Sequence, residues 1–564
     1  MTPSRPGTPA WHLFVPKLVT VLRQGYGLAD LRHDFIAGLT VSIVALPLAM
    51  ALAIASGTTP EKGLVTAVVA GLLISALGGS RFQIGGPTGA FVVVVFNVIE
   101  RHGYDGLVLA TFMASAMLVV AGLARLGTWI KYIPEPVVTG FTAGIAVIIF
   151  SSQIRDLFGL SLDSVPGNFL AKWHAFWLAR DTVSPATVAV ALLSLVAIVA
   201  MRKLAPKLPA FLIAVVAAAA GVAMLGLPVD TIGSRFGGIP TSFPAPVIPE
   251  ISMSRMAELL PSAFTIAFLA GVESLLSAVV ADGMTGRRHR SNCELVAQGV
   301  ANGASALFGG MPATGAIART ATNIRSGARS PVSGMLHAIF ILVFMLAFGS
   351  LASYVPLAAL AAILVIVAWN MSEIDRLRHL MAAPLGDRLV LLATFALTVL
   401  VDLTVAIEVG VVLAAILFMH RMAETVEFQR GLPLLERDED DFVRPSNGYS
   451  QRDTLPDDVE VFLLRGPLFF GVASRLMEVL DTIARPPRAF ILRMREVPLI
   501  DATGVGALRA FLRRCQGHGT LVIVTGVRPQ PRQILQQMGF GLGSTGLRFE
   551  EDFDAALRAV ARES

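Results

Sequence analysis

Apolar residues dominate the chain from Phe35 to about His420, in runs near 34–56, 63–79, 106–124, 134–158, 185–201, 208–227, 258–282, 292–309, 331–350, 355–370, 388–402 and 404–422. Roughly 20 apolar residues cross the hydrocarbon as a helix, so each run predicts a membrane segment. Two further elements, at 87–99 and 313–322, are shorter and more polar. Counting them, the pattern predicts about fourteen segments. Past His420 the pattern changes. Residues 426–457 are charged and Pro-containing and read as a solvated linker. From 458 to 564, strands are predicted at 459–464, 489–492 and 521–524. Helices are predicted at 472–483, 505–514, 530–538 and 553–561. This alternation predicts one small α/β domain.

The two short elements are near-copies. Gly86-Pro87-Thr88-Gly89-Ala90 echoes Pro312-Ala313-Thr314-Gly315-Ala316. Ser75-Ala-Leu-Gly-Gly79 matches Ser305-Ala-Leu-Phe-Gly-Gly310, and Tyr132-Ile-Pro134 matches Tyr354-Val-Pro356, in the same order. About seven elements per half is an odd number, so the second half enters from the opposite side. This predicts an inverted-topology repeat, about 34–227 and 258–425. Short Gly/Pro-interrupted segments at matching places in two halves point to a transporter binding site.

Composition agrees with this division. The 564 residues are 54% hydrophobic and 15% charged, where a soluble chain carries about a quarter charged residues. Residues 1–33 form a polar N-terminal segment with no apolar run, so no cleavable signal peptide is expected. The net charge of +5 is spread over loops, which argues for orientation and against nucleic-acid binding. Arg81, Arg125, Lys131, Arg202, Lys203, Arg287, Arg288, Arg290, Arg325 and Arg329 fall in loops on the side of the N-terminus, which places both termini in the cytoplasm. The two cysteines, Cys293 and Cys515, form no framework, and the histidines are scattered. No metal, cofactor or ATP-binding loop is expected, and no hydrolytic constellation is visible.

Three places carry candidate chemistry. A helix that begins within the bilayer leaves its first N–H groups unpaired, and an anion satisfies them with help from the helix dipole. Gly89, Ala90, Gly315 and Ala316 keep the backbone bare, and Thr88 and Thr314 add hydroxyls. Glu273 lies in an apolar helix, in Ala270-Gly-Val-Glu-Ser-Leu-Leu-Ser277. Burial disfavours its charged form, so it can carry a proton, whereas a nearby Arg319 would hold it ionised as a structural brace. Both readings stand, and Ser277, one turn on, is expected on the same side. In the tail, Asp501 or Thr503 of Leu499-Ile-Asp-Ala-Thr-Gly504 can cap the following helix, and Thr503 can alternatively be a phosphorylation or ligand position.

The chain resembles the SulP anion permeases, bacterial relatives of the mammalian sulfate and chloride/bicarbonate exchangers. The resemblance rests on Gly85-Gly-Pro-Thr-Gly89, on Glu273-Ser-Leu-Leu-Ser277 with Val280-Ala-Asp-Gly-Met-Thr-Gly286, and on Pro312-Ala-Thr-Gly-Ala-Ile-Ala-Arg-Thr-Ala-Thr-Asn323. The tail, with Ile500-Asp-Ala-Thr-Gly504, resembles a STAS domain, the fold of bacterial anti-sigma-factor antagonists. The resemblance implies a core domain of segments 1–4 and 8–11 moving against a gate domain of 5–7 and 12–14. It also implies an anion between segments 3 and 10, a homodimer, and a bacterial inner (plasma) membrane. Relatives with Asp at the Glu273 position are associated with sodium-coupled bicarbonate uptake, those with Glu more with protons. Arg319 matches a basic position that helps bind anions in animal relatives. Thr503 matches the residue phosphorylated in the antagonists. One departure is Leu48 after Pro47, where many members place Gln.

The expectation is a secondary active transporter of a small anion (bicarbonate, a C4-dicarboxylate or sulfate) with a proton coupled through Glu273. Its rivals are a sodium-coupled bicarbonate transporter, an uncoupled anion channel or exchanger, and a membrane anion receptor signalling through its tail.

Overall fold

A computed structural model describes residues 10–128, 134–162, 165–205, 208–430, 458–469, 486–540 and 547–562. The chain divides into two compact units, Met1–Ala414 and Ala415–Ser564.

The first unit is helical. Among the described residues, nine helices are long and apolar enough to cross a membrane. In order, α1 is Leu28–Ala55, α2 Pro60–Leu77, α3 Gly89–Leu123, α4 Glu135–Phe158, α5 Pro185–Leu204 and α6 Ala210–Leu225. Then come α7 Met253–Thr285, α8 Ser291–Leu307, α9 Ile317–Arg325, α10 Val332–Phe348, α11 Leu357–Met371, α12 Leu385–Leu400 and α13 Leu403–Glu424. Helix α3 is two arms meeting at Gly103, whose φ of 71° and ψ of 179° are outside helical space and suit glycine. Its first arm, 89–102, is about 21 Å long and α9 about 14 Å, both well short of the roughly 30 Å hydrocarbon. Counting the arms of α3 separately gives fourteen elements at the places the apolar pattern predicts. Two amphipathic helices, Phe169–Leu178 and Ile374–Met381, lie between them and were not predicted.

Packing sorts the helices into two groups. The second arm of α3 packs on α8, α7 lies against α3, and α10 lies on α1 and α2. Small residues make these seams close. A Cβ on Gly122 would lie 2.9 Å from the Asn292 carbonyl, and one on Gly299 2.8 Å from that of Ser115. In the other group α4 packs on α11 and α12, α11 on α5, and α5 on α6, while Gly410 of α13 rests on Thr394 and Val137. These are the core and gate sets that the resemblance implies.

The core is joined at its middle by two tiny strands. β1 (Gly85–Gly86) pairs antiparallel with β2 (Thr314–Gly315), with Gly85 opposite Gly315 and Gly86 opposite Thr314. Each strand runs into a half-helix, β1 into α3 and β2 into α9. Antiparallel pairing of matched segments is the relation an inverted repeat requires.

The second unit carries a five-stranded sheet in the order β3-β4-β5-β6-β7: Glu427–Arg430, Val459–Arg465, Ala489–Glu496, Leu521–Thr525 and Leu547–Glu550. β3 is antiparallel to β4 and the others are parallel. Phe490, Leu492 and Met494 share a core with α14 (Ala502–Gly517) and α15 (Pro529–Gln537), whereas Ala489 and Ile491 pack with α16 (Phe553–Arg562). Alternate residues thus feed opposite faces, and helices cover both. β3 and β7 were not predicted. β3 opens the stretch 426–457 read as linker, because its backbone completes the edge of the sheet beside β4. The helix expected at 472–483 lies outside the described residues.

Candidate anion site

The site forms where the β1–β2 crossing meets α7. Thr88 is the N-cap residue of α3, in extended conformation, yet its side chain caps nothing. Its hydroxyl instead donates to Glu273 Oε2 at 3.2 Å. The first N–H groups of α3, at Gly89 and Ala90, have no intrahelical acceptor. From the gate, Met371 and Ile149 press on this helix start. A Cβ on Gly89 would lie 2.5 Å from Met371 Sδ and 3.2 Å from Ile149 Cδ1.

The second copy is used differently. The Ala316 N–H donates to the Ile84 carbonyl at 2.8 Å, extending the crossing. The Thr314 hydroxyl donates to the Ala270 carbonyl of α7 at 2.9 Å, and Gly315 lies against Gln83. Thr314, Gly315 and Ala316 therefore build the crossing, whereas the sequence suggested that they bare the backbone to an anion. The open N–H groups of this copy belong to Ile317 and Ala318, both exposed, at the start of α9.

Arg319 is 3% exposed. Its Nη2 donates to the Pro87 carbonyl at 3.1 Å, and its Nη1 takes the space a Cβ on Gly86 would fill, 2.6 Å away. The Glu273–Arg319 brace does not form. Glu273 is tied to Thr88 and Arg319 to the preceding Pro87, so they grip consecutive residues of one loop without touching. Glu273 remains partly exposed. Ser277, one turn after Glu273, donates its hydroxyl to Thr320 Oγ1 at 3.1 Å and so joins α7 to α9.

One set of site residues was missed. Glu294 is fully buried and accepts from the Gly79 and Ser80 N–H groups at 2.8 and 3.2 Å. It also accepts from Ser274 Oγ and Gln298 Nε2, both at 3.1 Å. Ser274 Oγ accepts in turn from Gln83 Nε2 at 2.7 Å. This chain of bonds anchors the loop ahead of β1. The signal was present as Glu294, Gln298, Asn302 and Ser305, one polar stripe on an otherwise apolar helix.

In the second unit Asp501 is the N-cap of α14, its Oδ1 accepting from the Gly504 N–H at 2.7 Å. Thr503 is exposed in the first turn.

A membrane domain of two repeats, crossed by paired half-helices and followed by an α/β domain, defines a class of secondary transporter. Residues 31–394 match the sulfate permease family and residues 453–548 match the STAS domain. The chain belongs to the sulfate permease family of membrane anion transporters. It is 43% identical to "Putative sulfate transporter YvdB" of Bacillus subtilis (strain 168), over 92% of this chain and 95% of that one. It is 30% identical to the bicarbonate transporter BicA of Picosynechococcus sp., over 90% and 91%. Its fold is similar to murine Slc26a9 in an inward-facing state, with a TM-score of 0.85 at 17% identity over 100% and 96% of the two chains. These relatives are transporters, not enzymes.

Proposed function

We propose that the protein moves a small anion by alternating access of core against gate, with the anion held between the starts of α3 and α9. Its ligands are the N–H groups of Gly89 and Ala90 together with those of Ile317 and Ala318, and the charge of Arg319. The observation that carries this reading is the buried Arg319 guanidinium fixed at the point where two half-helices begin. Helix-end donors and a bidentate cation suit a compact oxyanion. Sulfate and bicarbonate, the cargoes named for YvdB and BicA, are candidate substrates beside a C4-dicarboxylate. Leu48 in place of a polar residue speaks for a substrate unlike that of sulfate-selective members.

Coupling runs through Glu273. Among the described residues it bonds a single hydroxyl, that of Thr88, while remaining partly exposed, which suits a carboxyl that takes and releases a proton. A sodium ion asks for several oxygen ligands. On this reading 34–425 is the transport domain, 458–564 the STAS domain with Asp501 capping and Thr503 open to modification, both termini are cytoplasmic, and the protein is a homodimer in a bacterial plasma membrane. The test is counterflow in proteoliposomes with labelled sulfate, bicarbonate and fumarate, with and without sodium and a pH gradient. Saturable uptake of one anion, driven uphill by the pH gradient alone, is expected. Flux that never exceeds equilibrium would favour a channel, and binding without flux a receptor.

A further inference from the structure

Behind the proposed anion site lies a group of buried polar atoms that the fold does not pair. His337, on α10, is 0% exposed, and neither ring nitrogen has a hydrogen-bond partner among the described residues. Arg319 Nε and Nη1 and Asn323 Oδ1 are likewise buried and unpartnered. Leaving such a group unpaired costs about 1–3 kcal/mol, so five such atoms on three side chains within one core call for an explanation.

The geometry brings them to one place. Asn323 Nδ2 donates to Ser333 Oγ at 2.9 Å, which fixes α9 against α10. Arg319 lies one turn before Asn323, and His337 one turn after Ser333. The next turn of each helix therefore sets Arg319 toward His337. α1 closes the face, since a Cβ on Gly38 would lie 3.2 Å from the His337 backbone N and 2.6 Å from the Ser333 carbonyl. Gly334, on the neighbouring face, is closed by Ser75 and Ile84.

The inventory is complementary. A neutral imidazole offers one acceptor and one donor. Arg319 has free N–H groups only, and the free atom of Asn323 is an acceptor. We infer that His337 is a positioning residue for Arg319. One ring nitrogen accepts from the guanidinium and the other donates to Asn323 Oδ1, each through a buried water, since none of these atoms bonds another directly among the described residues. The imidazole then holds the guanidinium from behind while its Nη2 keeps the Pro87 carbonyl and its free edge faces the anion. This inference rests on the role of Arg319 proposed above.

The test measures KM and kcat in proteoliposomes, using whichever of sulfate, bicarbonate and fumarate the parent takes up. His337→Leu is expected to raise KM about tenfold, the effect of losing one bond to a charged group, while kcat changes much less. Its thermal midpoint is expected to be no lower than the parent's, because a buried unpaired polar group has been removed. His337→Gln, which keeps a donor and an acceptor, is expected to recover most of the loss. In an Arg319→Gln background His337→Leu is expected to add nothing. An unchanged KM in His337→Leu, a His337→Gln no better than Leu, or full additivity with Arg319→Gln would overturn the inference. Failure of the anion-site reading itself looks different, as an Arg319→Gln protein with the parent's KM.

Discussion

Adding one methyl group at Gly315 probes the crossing most directly. Gly315 has no positive φ, so alanine suits its backbone, and the whole effect is steric. A Cβ there would lie 1.6 Å from Gln83 Nε2 and 2.5 Å from its Cδ. A relaxation of a few tenths of an ångström cannot clear that overlap, so the Gln83 side chain must leave. It is 3% exposed and bonded to Ser274 Oγ, which bonds Glu294, so eviction unpairs buried groups along the chain that anchors β1. Unpairing costs about 1–3 kcal/mol and overpacking about as much, against about 0.4–1 kcal/mol gained from a stiffer unfolded chain. Gly315→Ala is therefore expected to lose about 2–4 kcal/mol of stability, with a raised KM. Thermal unfolding of the solubilised protein and counterflow kinetics read the two effects. Gly283→Ala is the control, since nothing lies within 4 Å of a Cβ at that helix position. Gln83→Ala in the Gly315→Ala protein opens the space again and should return part of the stability. A Gly315→Ala protein that melts and transports like the parent, or penalties at 83 and 315 that simply add, would refute the reasoning.

Glu273→Gln mimics the protonated carboxyl, so it should keep anion exchange and lose accumulation driven by a pH gradient; uphill pH-driven uptake in this variant would exclude Glu273 as the proton carrier. Asp501→Ala removes the α14 cap and should cost about 0.5–2 kcal/mol, seen as faster hydrogen exchange over 502–517 in the full-length protein, with Asp501→Asn close to the parent. Burial pushes the Cys515 thiol up to about 12, so in a Cys293→Ser protein maleimide at pH 8 should label it only after denaturation. The native state holds that proton more tightly than the unfolded one. Its contribution to stability is therefore complete below about pH 8.5 and is lost as pH rises toward about 12. Rapid labelling of the folded protein would count against this.

Local signals made the membrane layout legible. Runs of apolar residues located the spanning helices to within a few residues, and the repeated Thr-Gly-Ala strings located both half-helices. What stayed hidden depends on partners far apart in the chain. Arg319 bonds Pro87 across 232 positions and Gln83 bonds Ser274 across 191, and neither partner is marked by periodicity. Charge logic left a pairing of Arg319 with Glu273 open beside the proton-carrier reading, because a carboxylate is an obvious acceptor in an apolar core. The crossing offered a backbone carbonyl closer at hand. The short amphipathic helices at 169–178 and 374–381 carry too few apolar residues to register as spans, and β3 and β7 are four-residue edge pieces whose identity comes from the strand beside them.

The same pairings account for why two near-identical motifs are not redundant. In the first copy Thr88 gives its hydroxyl to Glu273, leaving the backbone donors of Gly89 and Ala90 beside a carboxyl. In the second copy Thr314 and Ala316 give theirs to α7 and to the crossing, and the helix start carries a fixed cation instead. On the proposed reading one half supplies a variable charge and the other a permanent one, joined through consecutive residues, Pro87 and Thr88. On the proposed reading an anion entering the crossing meets both. Arg319 binds it whatever the state of Glu273, while protonation of Glu273 removes a negative charge that opposes it. Binding of anion and proton then favour each other with no contact between Glu273 and Arg319, which is the thermodynamic requirement for moving the two together.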